Sequence, residues 1–147
     1  MDGMRRFLVA AALSLVAPVA SAINIAHNQL GANNAVSSSC DQSAAVVTTT
    51  ITTGGNTVQI NISALAFRRS SQSFTYWGFK IWRDSTQLFD SQQSGQTSVA
   101  AGDSVASWVS YDTPSAGTHT YKLAVCVNPG GTGTAWTGTQ ITVWELM

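Results

Sequence analysis

Apolar positions in this chain recur mostly at every second residue, in short runs separated by turn-forming residues. In Thr57–Leu65, Val58, Ile60, Ile62 and Ala64 alternate with Gln59, Asn61 and Ser63, which is the period of a half-buried strand. Thr118–Val127 sets Tyr121, Leu123, Val125 and Val127 on one face and Thr120, Lys122, Ala124 and Cys126 on the other. Thr137–Leu146 opposes Ile141 and Val143 to Thr142, Trp144 and Leu146, and Ser104–Tyr111 opposes Val105, Val109 and Tyr111 to Ala106 and Trp108. Ala44–Thr53 is rich in Val and Thr and predicts a further strand, which Gly54-Gly55-Asn56 would turn into its successor as a β-hairpin. Phe74–Arg83 carries bulk on both faces, Phe74, Tyr76 and Trp82 on one and Trp77, Phe79 and Ile81 on the other. Such a strand is central to a core or presents one side as a contact surface. A short strand is expected around Gln87–Asp90. Polar loops are expected at Arg68–Ser73, Ser91–Thr97 and Asn128–Gly133, and a turn at Asp112–Gly117. Seven or eight strands at roughly ten-residue spacing, with no helical period beyond residue 22, predict an all-β antiparallel β-sandwich. A jelly roll is favoured over an immunoglobulin-like topology, because the separation of Cys40 from Cys126 is too wide for the inter-sheet pair of the latter.

The N-terminus departs from this pattern. Met4-Arg5-Arg6 precedes the apolar stretch Phe7–Ala17, followed by Pro18 and the small-residue ending Ala20-Ser21-Ala22. A basic start, an apolar run and a small-x-small end make a secretory signal peptide over 1–22, cut between Ala22 and Ile23. The alternative is an uncleaved anchor, but a spanning helix needs about 20 apolar residues and this run is shorter. The expected organisation is signal peptide 1–22, an extended segment 23–43 leading into the domain, and the sandwich at 44–147. The mature protein is expected to be secreted, periplasmic or held at the cell surface, with no membrane insertion after cleavage.

Charge and cysteine content narrow the partners. Lys and Arg number 7 against 7 Asp and Glu, so the formal net charge is zero. No basic field is present to attract nucleic acid, and no polybasic face to attract anionic lipid. In an exported chain the two cysteines, Cys40 and Cys126, read by default as a disulfide. On the chain-entropy account, closing so long a loop is worth roughly 4–5 kcal/mol. The alternative is two separate buried thiols.

Catalytic signatures are absent from the sequence. His27 and His119 read as solvent-facing, and two distant histidines with two cysteines lack zinc-site spacing. No nucleophile elbow is present. Glu145 is the only glutamate, so a glycosidase pair would have to use aspartates. Asp84, Asp90, Asp103 and Asp112 lie in or beside expected turns, without the spacing of a calcium loop. No metal or cofactor is expected. The aromatics are the better lead: the chain has 5 Trp, and exposed indoles stack on sugars and anchor protein interfaces. Trp136, in a Gly/Thr-rich stretch, is the first candidate ligand contact. Tyr76 and Trp82, sharing one face of their strand, are the next, either as core or as contact surface.

Three segments carry a family resemblance: Phe79-Lys80-Ile81-Trp82-Arg83-Asp84-Ser85-Thr86, Tyr111–Leu123 with its Asp112-Thr113-Pro114 and Gly117, and Ile141-Thr142-Val143-Trp144-Glu145-Leu146. Residues 74–147 resemble the C-terminal jelly-roll tip domains of bacteriophage tail fibres and related exported bacterial β-sandwich proteins, which are similar to tumour-necrosis-factor and C1q-type jelly rolls. Ser85 stands where that hairpin usually has Gly. The resemblance implies a non-enzymatic binding or capping module that assembles as a homotrimer. The expected function is therefore an exported binding module for a glycan or protein ligand. The alternatives are a structural subunit of an appendage, coat or tail-like assembly and, third, a secreted hydrolase using Asp and His.

Overall fold

The computed structural model describes residues 23–36, 41–69, 77–91, 103–127 and 133–147, without the side chains of 64–69, 77 and 103–106. The expected signal peptide at 1–22, Tyr76 and Cys40 lie outside the described residues. The strands are β1 (Ile25–Gln29), β2 (Asn34–Val36), β3 (Ala45–Thr53), β4 (Val58–Arg69), β5 (Trp77–Arg83), β6 (Thr86–Asp90), β7 (Asp103–Asp112), β8 (Gly117–Val127), β9 (Gly133–Ala135) and β10 (Gln140–Glu145). One turn of 3-10 helix, Gln42–Ala44, precedes β3 and is capped by the Asp41 carboxylate, which accepts from the amides of Ser43 and Ala44. Among the described residues no helix is long and apolar enough to cross a membrane.

Four antiparallel pairs nest one inside the next: β1 with β10, β3 with β8, β4 with β7, and β5 with β6. Two further pairings, β10 with β4 and β8 with β5, join alternate pairs side by side. The result is one sheet ordered β1-β10-β4-β7 and a second ordered β3-β8-β5-β6. A long hairpin rolled so that alternate pairs fall in opposite sheets is a jelly roll. The short β2 and β9 extend the first sheet beside the second half of β4.

The core lies between the sheets and follows the period-2 pattern. Val58, Ile60, Ile62, Ile141 and Val143 of the first sheet face Val47, Ile51, Phe79, Ile81, Tyr121, Leu123, Val125 and Val127 of the second. Ala124 and Cys126, on the opposite face of β8, are buried as well.

Three expectations need correction. β3 and β4 are not a hairpin, since they belong to opposite sheets. Gly54–Asn56 is the corner between the sheets, and it is fixed from the other end of the chain. The buried Glu145 carboxylate accepts from the Gly54 amide (2.6 Å), the Asn56 amide and Nδ2 (3.2 Å each) and Asn24 Nδ2 (2.9 Å). Gly55 sits at φ +97°, where a side chain would be strained. Second, segment 23–43 is not merely a lead-in. Its β1 pairs residue for residue with β10, and its β2 with β9. Third, Arg68 and Arg69 are not loop; β4 continues through them, opposite Asp103 on one side and β9 on the other.

Candidate functional site

Strand register determines what the outer face of the first sheet displays. Directly opposed residues in an antiparallel pair point to the same side. Ile25 opposes Trp144, Trp144 opposes Gln59, and Gln59 opposes Tyr111. These four form one row across β1, β10, β4 and β7. Since Val58, Ile60, Val143 and Ala26 point into the core, the row points outward. The next row is His27, Thr142, Asn61 and Val109, with His27 Nδ1 2.9 Å from Thr142 Oγ1. Beyond it Ser63 Oγ donates to Gln140 Oε1 at 3.4 Å. Ile25 is 64% exposed, Tyr111 60% and Val109 46%; Trp144 is half-exposed among them. No outward position in these rows holds an Asp, Glu, Lys or Arg.

The residues singled out from sequence are placed differently. Trp136 is half-buried, in the turn between β9 and β10, where its carbonyl accepts from the Thr139 amide and hydroxyl. Trp82 lies on the outer face of the opposite sheet, between Lys122 and Gln87. It is half-buried, and its indole Nε1 is buried without a hydrogen-bond partner among the described residues. Trp136 and Trp82 therefore belong to different parts of the molecule, and neither joins the Trp144–Tyr111 row. The alternation of β10 places Trp144 outward, but only the pairing of β4 with both β10 and β7 puts Tyr111 in line with it.

Trp108 points the other way from Tyr111, into the sandwich at its β7 edge. Its ring lies 4.6 Å from Phe89 and 6.2 Å from Phe79, while Phe79 and Phe89 are 5.7 Å apart. This aromatic cluster bridges the two sheets, yet Trp108 remains 39% exposed.

Titratable groups gather at one end of the sandwich. Arg83 Nη1 donates to both oxygens of Asp112 (2.8 and 2.7 Å), and the Tyr121 hydroxyl donates to Asp112 Oδ2 at 2.8 Å. The pair joins the sheets, because Arg83 is on β5 and Asp112 on β7. Burial, reinforced by the Asp112 carboxylate, holds the Tyr121 phenol well above its ordinary range.

His119 is not solvent-facing. Its Nδ1 is 2.8 Å from Asp84 Oδ2 and its Nε2 is 3.0 Å from the Ser115 carbonyl. Both neighbours are acceptors, so the doubly protonated ring satisfies both contacts, and the hydrogen bond to Asp84 raises the His119 pKa. The same bond, with one from the Thr120 amide, lowers that of Asp84. Asp84 itself sits at φ +51° in the β5–β6 turn, and Lys122 Nζ donates to its carbonyl at 2.8 Å. A catalytic histidine needs one ring nitrogen free to take a proton from a nucleophile. Here both are committed, so the cluster acts as a clamp between the β7–β8 corner and the β5–β6 turn. The Asn24 side chain first, then the Asn56 and Gly54 amides, hold Glu145 below the usual carboxylate range. Among the described residues no group of three or more His, Cys, Asp or Glu converges as a metal site. Cys126 is buried on β8 and is not a free thiol.

No protein-family profile matches the chain, and no curated protein matches it in sequence. Among solved structures, dimeric latent PorU from Porphyromonas gingivalis is similar at TM-score 0.46 and 11% identity, over 84% of this chain and 12% of that one. The infectious bursal disease virus Gx strain structure is similar at TM-score 0.49 and 11% identity, over 86% of this chain and 32% of that one. This chain thus spans a minor part of either neighbour.

Proposed function

We propose that this protein is an exported, non-enzymatic binding module whose working surface is the outer face of the β1-β10-β4-β7 sheet. One observation carries the reading: Ile25, Val109 and Tyr111 are exposed around Trp144 on a single open face. Aromatic and aliphatic groups clustered on a polar protein's surface mark a contact site. Export rests on the layout of residues 1–22. The Cys40–Cys126 disulfide belongs to the same reading, and it is supported by Cys126 not being a free thiol.

A second reading is a structural subunit, assembled as in the tail-tip-like homotrimers. It is favoured by β7, which carries Trp108, Val109 and Tyr111 exposed on one strand. A hydrolase is disfavoured by the doubly engaged His119 ring. Adsorption of mature Ile23–Met147 to isolated bacterial cell envelopes, compared with Tyr111→Ala, tests the proposal. Loss of adsorption at unchanged melting temperature and molar mass is expected. A variant that adsorbs like the parent refutes it, and one that instead falls from oligomer to monomer establishes the structural reading.

A further inference from the structure

We infer that this outer face takes an extended neutral polysaccharide, stacked on Trp144 and Tyr111 and hydrogen-bonded by the amides and hydroxyls between and beside them. The inference rests on the proposed reading of the face as the working surface and adds the class of ligand.

The first support is the absence of fixed charge. The outward positions of β1, β10, the first half of β4 and the last half of β7 hold Ile, His, Gln, Trp, Thr, Asn, Ser, Val and Tyr, with no Asp, Glu, Lys or Arg. Arg68, Arg69 and Asp103 belong to the far half of the β4–β7 pair, beyond these rows; the other charged groups lie elsewhere. Glu145 and Asp112 point into the sandwich end, and Lys80, Arg83, Asp84, Asp90 and Lys122 belong to the other sheet or its turn. A phosphorylated, sulfated or uronate ligand, or an anionic lipid surface, calls for cationic groups. An uncharged polyhydroxylated ligand needs none.

The second support is the kind and spacing of the groups. A pyranose ring has an apolar face of C–H groups and a rim of hydroxyls, which suits an aromatic ring beneath and amide or hydroxyl partners beside it. Trp144 and Tyr111 are two strands apart, and strand spacing puts them roughly 10 Å from each other. Gln59 stands between them, with Asn61 and Thr142 in the adjoining row. The face therefore offers two stacking platforms with hydrogen-bonding groups in the gap, on an open sheet that a chain of sugars can cross.

The same alternation argues against a second copy of this chain as the occupant. The core of a subunit interface is contiguous and apolar. Here Gln59 separates the two aromatic posts, and His27, Thr142 and Asn61 fill most of the second row.

The test is retention of mature protein on microcrystalline cellulose, chitin, amylose and mannan, with polygalacturonate and heparin as charged controls. The parent is expected to be retained on at least one neutral polymer and on neither charged one. Tyr111→Ala and Trp144→Ala should each weaken retention about tenfold, which is the loss of one good contact. Retention should be unchanged between about 0.05 M and about 1 M salt, since no charge is screened. Tyr111 is the better test position because its side chain is largely exposed, so its truncation spares the fold. Failure to bind any of the four neutral polymers overturns the inference, as does retention that survives both substitutions or disappears with salt. If the polymers fail while Tyr111→Ala still abolishes adsorption to envelopes, the ligand class is wrong and the surface assignment stands. If Tyr111→Ala leaves envelope adsorption intact, the surface assignment itself is wrong.

Discussion

Replacing Asp112 by alanine should be among the costlier single changes at the polar end of the sandwich. The carboxylate is the shared acceptor for Arg83 Nη1 and the Tyr121 hydroxyl. Tyr121 is 0% exposed, so its hydroxyl cannot turn to water when the acceptor goes. An orphaned buried hydroxyl costs about 1–3 kcal/mol. Arg83 keeps 21% side-chain exposure and Asp112 10%, so the guanidinium can rehydrate. The 3–5 kcal/mol typical of breaking a fully buried pair is therefore an upper bound here, and about 1–2 kcal/mol is the fitting share. The sum is roughly 2–5 kcal/mol, or a melting temperature lower by roughly 8–20 °C for a domain of this size. Tyr121→Phe should cost only about 1–2 kcal/mol, because Asp112 retains Arg83. In the double variant the orphaned hydroxyl no longer exists, so the two losses should fall short of additive by about 1–3 kcal/mol. Urea titrations of the four proteins measure all three quantities. Strict additivity, or an Asp112→Ala loss under about 0.5 kcal/mol, would refute the claim that this carboxylate ties the two sheets together.

Further outcomes follow from the same geometry. Stability should be highest in mildly acidic solution. The His119 pKa is raised from 6.5, so its contribution is full below that value and is lost as pH rises through the higher folded pKa. Asp84 and Glu145 are lowered from 3.8 and 4.5, so theirs is present above those values and is lost as pH falls through the lower folded pKa values. Melting temperature against pH should thus decline on both sides of that window; His119→Gln should remove the alkaline limb and Glu145→Gln part of the acid limb, and an unchanged profile in either variant would contradict the assignment. Trp108→Ala should cost about 2–3 kcal/mol in denaturant unfolding, below the 3–5 usual for a buried aromatic because the ring is 39% exposed. Thiol titration of the unreduced, denatured mature protein should find no reactive cysteine, and reduction should cost about 2–5 kcal/mol; two reactive thiols per chain would rule out the Cys40–Cys126 bond.

Much of the fold was legible because a strand's period is local. The alternations in Thr57–Leu65, Thr118–Val127 and Thr137–Leu146 named the buried sides of β4, β8 and β10 correctly, and the all-β sandwich followed from them. What could not be read was pairing. Gly54-Gly55-Asn56 has the composition of a hairpin turn, but the group that makes it a corner between sheets is Glu145, about ninety residues away in sequence. β1 carries no local strand signal because its inward positions are Ala26 and Asn28 while Ile25 points out, the reverse of a normal amphipathic strand. His119 looked solvent-facing beside its polar neighbours, since nothing local announces that the Asp84 turn folds against it. The candidate face shows the same division. Trp144 and Tyr111 are each visible as strand aromatics, but their alignment exists only once β4 stands between β10 and β7. Trp136 lies in Gly/Thr-rich surroundings that read as an open loop, and the turn made there is closed by Thr139.

The most direct test of the central claim, that the Trp144–Tyr111 face is an open binding surface, is the molar mass of mature Ile23–Met147 by light scattering without reductant. The account predicts a monomer whose mass does not change with Tyr111→Ala. A trimer that Tyr111→Ala dissociates would contradict it, because the face would then be a subunit interface.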